Sequence, residues 1–239
     1  MSPADVLDAL LRVNLAAGLA ILAVMLARRP ARTWFGPQVA YGLWLIVPVA
    51  IAAVLLPARR EVLTYWVQAQ ATTPNAALPV AMAADVPSSD PRPWLIALWV
   101  LGIVLSAALL AWRQRRLLLS AGRLANTADR WMRRAHAPGI GPAVVGAISP
   151  RVVVPSDFED RFDPEERVLV LAHEWQHLKR QDARINGLVA LFQCGFWFNP
   201  LVHLAARAIR VDQELACDAA VIAQYPEARR RYAEAMLKT

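Results

Sequence analysis

The chain has 239 residues, enough for one large domain or two small ones. With 57% hydrophobic residues and a mean hydropathy of +0.33, an ordinary soluble domain is disfavoured. Its 26 Lys and Arg against 19 Asp and Glu leave a net charge of +7. The arginines gather beside apolar runs, at Arg28-Arg29 and at Arg113, Arg115 and Arg116. Membrane proteins mark their cytoplasmic side this way, so no direct nucleic-acid partner is expected. Two cysteines, Cys194 and Cys217, are too few for a disulfide framework and form no C-x-x-C pair.

In chain order, three stretches are apolar and long enough to span a bilayer, at about 6–27, 38–57 and 94–112. Asp5 and Asp8 precede the first, and Arg28-Arg29-Pro30 follow it, which is not the charge order of a cleaved signal peptide; a retained anchor is expected. Three arginines in 28–37 and seven in 113–134 stand against three in 58–93. This bias predicts that the segments after the first and third spans are cytoplasmic, with the amino terminus and the loop 58–93 outside. Rich in Ala, Pro, Thr and Ser, that outer loop reads as a poorly ordered connection.

The remainder, 113–239, is expected to be a cytoplasmic domain, beginning with a basic helix over 113–135. Ala143–Ile148 and Arg151–Pro155, separated by Ser149-Pro150, predict two short strands paired as a β-hairpin. Asp163-Pro164-Glu165-Glu166 has the form of a helix start, with a capping aspartate, proline at the first position and a glutamate three residues after the cap. The helix should run from Pro164 to about Asp182. Gly187–Ala206 contains no Asp, Glu, Lys or Arg and by hydropathy alone would be a fourth span. Asn199-Pro200 interrupts it, and the expectation is a helical hairpin over about 183–223 that does not cross. The fold class is therefore mainly α: a multi-pass helical membrane protein, with a membrane region over 1–112, a helical domain over 113–239 and a small β-hairpin.

Within the helix that begins at Pro164 lies His173-Glu174-Trp175-Gln176-His177, an H-E-x-x-H. Histidines four apart share one helix face and can converge on a zinc ion, while the adjacent glutamate can reach a water there as general base. A catalytic zinc needs a third protein ligand. Glu214, 37 residues after His177, is the candidate, and Asp218 one turn later could accept a hydrogen bond from a ligand histidine and orient it. A fully spanning Gly187–Ala206 would put Glu214 across about 30 Å of hydrocarbon from the histidines, which is incompatible with a shared ion.

The run Val144-Val145-Gly146 through Ser149-Pro150-Arg151-Val152-Val153-Val154-Pro155, then Leu171–Asp182, Phe198-Asn199-Pro200-Leu201 and Glu214-Leu215-Ala216-Cys217-Asp218 resembles the BlaR/MecR-type antirepressor membrane metallopeptidases. The resemblance covers roughly 140–225. It implies a gluzincin-like zinc endopeptidase with His173, His177 and Glu214 as zinc ligands and Glu174 as catalytic base. It further implies residence in a bacterial inner or plasma membrane and cleavage of a cytoplasmic regulatory protein, such as a transcriptional repressor, or of the chain itself. Antibiotic sensors of that type carry a further span and an outer penicillin-binding domain. Residues up to Thr239 hold neither, so β-lactam sensing is not among the expectations.

The function read from the sequence is regulatory proteolysis by one Zn²⁺ on a protein or peptide substrate at the bilayer. The alternative is a non-catalytic membrane signalling or scaffold protein of the same fold. His203, Arg207, Arg210 and Tyr225 are candidates for stabilising the oxyanion, with His203 favoured for a structural role. His136 is expected at the surface and Cys217 as a small buried residue. The valine-rich strand pair is expected to offer an edge to an extended substrate.

Overall fold

The computed structural model describes residues 2–56, 90–127 and 129–239; the expected outer loop 58–93 therefore lies, as far as residue 89, outside the described residues. The chain is mainly helical, as its apolar runs dictate. α1 spans Pro3–Phe35, α2 Pro37–Gly42 and α3 Ile46–Leu55, with a 3-10 turn at Leu43–Leu45 joining the last two. α4 spans Arg92–Ala121. Among the described residues, three helical stretches, Pro3–Phe35, Pro37–Leu55 and Arg92–Ala121, are long and apolar enough to cross a membrane. The expected spans fall on these three.

α4 ends earlier than the basic helix expected over 113–135. Gly122, with φ at 71°, turns the chain out of the helix, and two strands follow, β1 at Leu124–Asn126 and β2 at Met132–Ala135. The expected pair is present as β3, Ala143–Val145, and β4, Arg151–Val154. Together they make a four-stranded sheet in the order β1-β2-β4-β3, antiparallel except for the parallel pair β2 and β4. β3 is thus an edge strand. Gly146 makes the turn after it possible, since φ is 98° and a Cβ there would lie 2.9 Å from the Ser149 carbonyl oxygen.

After the short helix α5, Phe158–Arg161, comes α6, Pro164–Arg180. Its start is a capping box: Asp163 accepts from the Glu166 amide at 2.9 Å and Glu166 accepts from the Asp163 amide at 3.0 Å. Its end is Gln181 in the left-handed region at φ 60°, after which α7, Asp182–Gly195, sets off in a new direction. α8, Pro200–Gln224, is capped by Asn199, whose side chain accepts from the Leu201 amide at 2.9 Å. α9, Arg229–Met236, completes the described elements.

The α7–α8 turn is held by two of the membrane-length helices. Asn199 donates to the Asn14 side chain on α1 at 2.7 Å, and the Trp99 indole on α4 donates to the Gly195 carbonyl at 2.8 Å. Gly102 lies flat against the Trp197 ring, where any Cβ would fall 2.1 Å from the indole, so that position admits only glycine. Further along, Arg28 of α1 pairs with Asp212 of α8 at 2.9 Å. From Asn14 to Arg28 is about 21 Å of helix and from Asn199 to Asp212 about 20 Å, so α8 runs parallel to α1 over that length. Two further cores position the site. Val152, Val154, Phe158, Phe162, Val170 and Ala235 join the sheet to α6 and α9, and Leu169, Val221 and Tyr232 join α6, α8 and α9.

Candidate metal centre

His173 and His177 project from one face of α6 with their Nε2 atoms 3.2 Å apart. Because α8 returns beside α6, the Glu214 carboxylate meets both: Oε2 lies 3.3 Å from His173 Nε2 and 3.5 Å from His177 Nε2. Around a tetrahedral ion with bonds of about 2.0–2.1 Å, neighbouring donor atoms stand about 3.3 Å apart. The three edges match that spacing.

Each imidazole is turned by its other nitrogen. His177 Nδ1 is 2.8 Å from Asp182 Oδ2, and His173 Nδ1 is 2.7 Å from the Tyr232 hydroxyl, which donates to Asp218 Oδ1 at 2.6 Å. With acceptors at both Nδ1 positions, the neutral imidazoles keep their proton there, the form in which both Nε2 lone pairs face the shared space. Asp218 was expected to orient a ligand histidine directly. Its Oδ1 is 3.4 Å from His173 Nδ1, so the shorter link runs through Tyr232.

The charge balance favours a cation. Burial works against the charged form of His173, yet the Asp218 and Glu214 carboxylates beside it carry its pKa up to about 9. The same opposition at His177 ends at about 12, with Asp182 the leading partner. Hydrogen bonds from His173 and His177 hold Glu214 well below the ordinary carboxylate range. Glu174 differs: burial pushes it up to about 7, against the pull of the two histidines.

Cys217 is fully buried, as expected, but it is also close to the histidines, its Sγ and one nitrogen of each ring lying within 4.8 Å of one another. Arg180 donates to that sulfur at 3.0 Å, and burial raises the thiol pKa. The surrounding cleft, about 280 Å³, is lined by Pro142, Ala143 and Val144 together with Asn186, Arg210 and Glu214 among others. Of the oxyanion candidates, only Arg210 lines this cleft. His203 bonds Gln193 at 3.1 Å and the Trp197 carbonyl at 2.9 Å, a structural role, and His136 is exposed as expected.

Tyr232 and Asp182 were given no role by sequence reasoning. Tyr232 reaches the site from the last helix with no local pattern to announce it. Asp182 had a readable neighbour in His177, five residues earlier, but that distance is one residue too long for a continuous helix face. Only the left-handed Gln181 brings them together.

Residues 8–239 match the family described as BlaR1 peptidase M56, and the chain belongs to that family of metallopeptidases. Regulatory protein BlaR1 of Bacillus licheniformis is 35% identical over 98 residues, covering 41% of this chain and 16% of that protein. The methicillin resistance mecR1 proteins of Staphylococcus aureus and Staphylococcus epidermidis are each 30% identical over 98 residues, covering 41% of this chain and 17% of theirs. The aligned stretch is thus about one sixth of these relatives' length. With the three apolar helices, these bacterial relatives point to a bacterial membrane protein.

Proposed function

We propose that this chain is a membrane-anchored zinc endopeptidase that acts in regulatory proteolysis on a cytoplasmic protein or on itself. The observation that carries the reading is the triangle of His173 Nε2, His177 Nε2 and Glu214 Oε2, with edges of 3.2, 3.3 and 3.5 Å. His173, His177 and Glu214 would hold the metal. Cys217 is the weaker third donor, because burial opposes ionisation of its thiol and its sulfur already accepts from Arg180. Its nearness is the one feature that favours the non-catalytic alternative, since a fourth protein ligand would close the site.

Zinc, when bound, supplies a Lewis acid that acidifies water and polarises a peptide carbonyl. Glu174, poised near neutrality, takes the proton of the attacking water as its oxygen bonds to the carbonyl carbon, and delivers that proton to the amine as the C–N bond breaks. Arg210, exposed and lining the cleft four residues before Glu214, would stabilise the developing oxyanion. Among the described residues β3 is an edge strand, and it borders the same cleft at Ala143 and Val144, where an extended peptide can add as a further strand with little demand on its sequence. A transcriptional repressor is the substrate class that the resemblance suggests.

The arginine bias puts the cleft on the cytoplasmic side, with the α7–α8 hairpin entering the bilayer and returning without crossing. Its contacts with Asn14, Trp99 and Gly102 support that arrangement.

Purified in detergent, the protein should carry about one zinc per chain and cleave an unstructured protein substrate. Both properties should vanish with a chelator and return with zinc. Zinc bound tightly without hydrolysis of any tested peptide would favour the alternative. For the topology, Cys194 and Cys217 are first replaced by serine. An impermeant thiol reagent applied to intact cells should then label a cysteine placed at Asp90 and spare one placed at Gln224; labelling at Gln224 would overturn the hairpin.

A further inference from the structure

The metal-site histidine His177 is steadied from within the membrane-associated half of the chain. Asp182, buried at the start of α7, accepts from His177 Nδ1 at 2.8 Å and from Arg180 at 2.6 Å, both on Oδ2. Its other oxygen, Oδ1, accepts from the Tyr41 hydroxyl of α2 at 3.0 Å. That hydroxyl oxygen in turn accepts from the Gln213 side chain of α8 at 3.1 Å, and Gln213 is the neighbour of Glu214. The Arg180 guanidinium lies 5.2 Å over the Tyr41 ring. One hydroxyl from α2 therefore touches the support of His177 and the chain neighbour of Glu214, groups that come from different helices.

We propose that Tyr41 is a positioning residue for the metal centre, holding the Asp182 carboxylate so that His177 presents Nε2 to the ion. The inference rests on the metal reading above. A carboxylate fixed through one oxygen can swing about its Cβ–Cγ bond, and the imidazole it holds swings with it. With Oδ1 tied to Tyr41 and Oδ2 to His177 and Arg180, the carboxylate plane is set from both ends. Partners of this kind typically change metal affinity by about 10- to 100-fold. A displacement of α2 against α7 and α8 would release the tie, so the affinity of the site depends on how the membrane-length helices are packed.

Tyr41→Phe keeps the ring and removes only the hydroxyl. Full-length protein in detergent, stripped of metal, is titrated with zinc against a chromophoric chelator and separately loaded with cobalt(II), whose visible bands report ligand geometry. For Tyr41→Phe the zinc dissociation constant should rise about tenfold and the cobalt bands should shift. Trp99→Phe serves as the comparison, removing the indole bond from α4 to the Gly195 carbonyl at the far end of α7. It should lower the melting temperature of the metal-free protein and leave zinc affinity and the cobalt bands as in the parent. Unchanged affinity and bands in Tyr41→Phe would overturn the inference, and so would equal weakening in both variants, which would mark a packing effect. A parent chain that binds no zinc would overturn the metal reading itself, and this inference with it.

Discussion

Glu174→Gln should retain zinc and lose peptide hydrolysis by a factor of about 10²–10⁴ or more. The amide fills the same space, so the cleft and the two histidines keep their places. It cannot accept the proton of an attacking water, and that is the step assigned to the buried carboxylate whose pKa burial lifts to about 7. His173→Ala and Glu214→Ala should behave differently, losing metal as well as activity, because each removes a corner of a triangle whose edges are 3.2–3.5 Å. Asp218→Asn touches His173 mainly through Tyr232 and should cost about 10- to 100-fold in metal affinity or activity. Metal content by atomic emission and cleavage of a fluorogenic peptide separate these cases. Full turnover by Glu174→Gln would sink the proposed mechanism.

What was legible in the sequence follows from the range of the forces involved. The start of α6 is written in neighbouring residues, because a capping box is local: Asp163, Pro164 and Glu166 announce it without help from the rest of the chain. The helical stretches of the membrane region are legible because length and hydropathy are sums over a window. Asn199-Pro200 foretold the break between α7 and α8 for the same local reason. The strands β1 and β2 were missed because Met132-Arg133-Arg134-Ala135 lacks the alternation of a half-buried strand and continues the basic run of α4. Only the pairing of Met132 with Val152 and its neighbours fixes β2 as a strand. At the centre, the H-E-x-x-H spacing predicts that His173 and His177 converge, and the structure brings Glu214 to within 3.5 Å of both. The groups that hold the imidazoles were hidden. Tyr232 is 59 residues from His173, and Tyr41 is 141 residues from Asp182, separations across which no pattern of spacing operates.

Asp212→Ala should destabilise the folded protein by about 3–5 kcal/mol, the cost of stranding a buried charge. Asp212 is 1% exposed, and its Oδ2 accepts from Arg28 at 2.9 Å and from the Trp44 indole at 2.8 Å. Arg28 keeps only the Ala208 carbonyl, at 3.1 Å, once that carboxylate is gone. The pair is weak evidence for net stability in itself, because both charges gave up hydration to form it. Among the described residues Asp212 Oδ1 has no partner, nor does Arg28 Nε. Replacing both groups by apolar ones of similar volume, Arg28→Met with Asp212→Leu, should therefore recover most of the loss. Urea unfolding of the three proteins in one detergent would measure this. A single variant within about 1 kcal/mol of the parent would mean that water reaches the pair and that burial does not set its energy. The location gives the pair its consequence, since Asp212 lies two residues before Glu214 on α8. Arg28, near the end of α1, fixes the height and rotation of that helix at the point where it delivers the third donor. The double variant, restored in stability but without the directional bond, should then show weaker zinc binding than its stability alone would suggest.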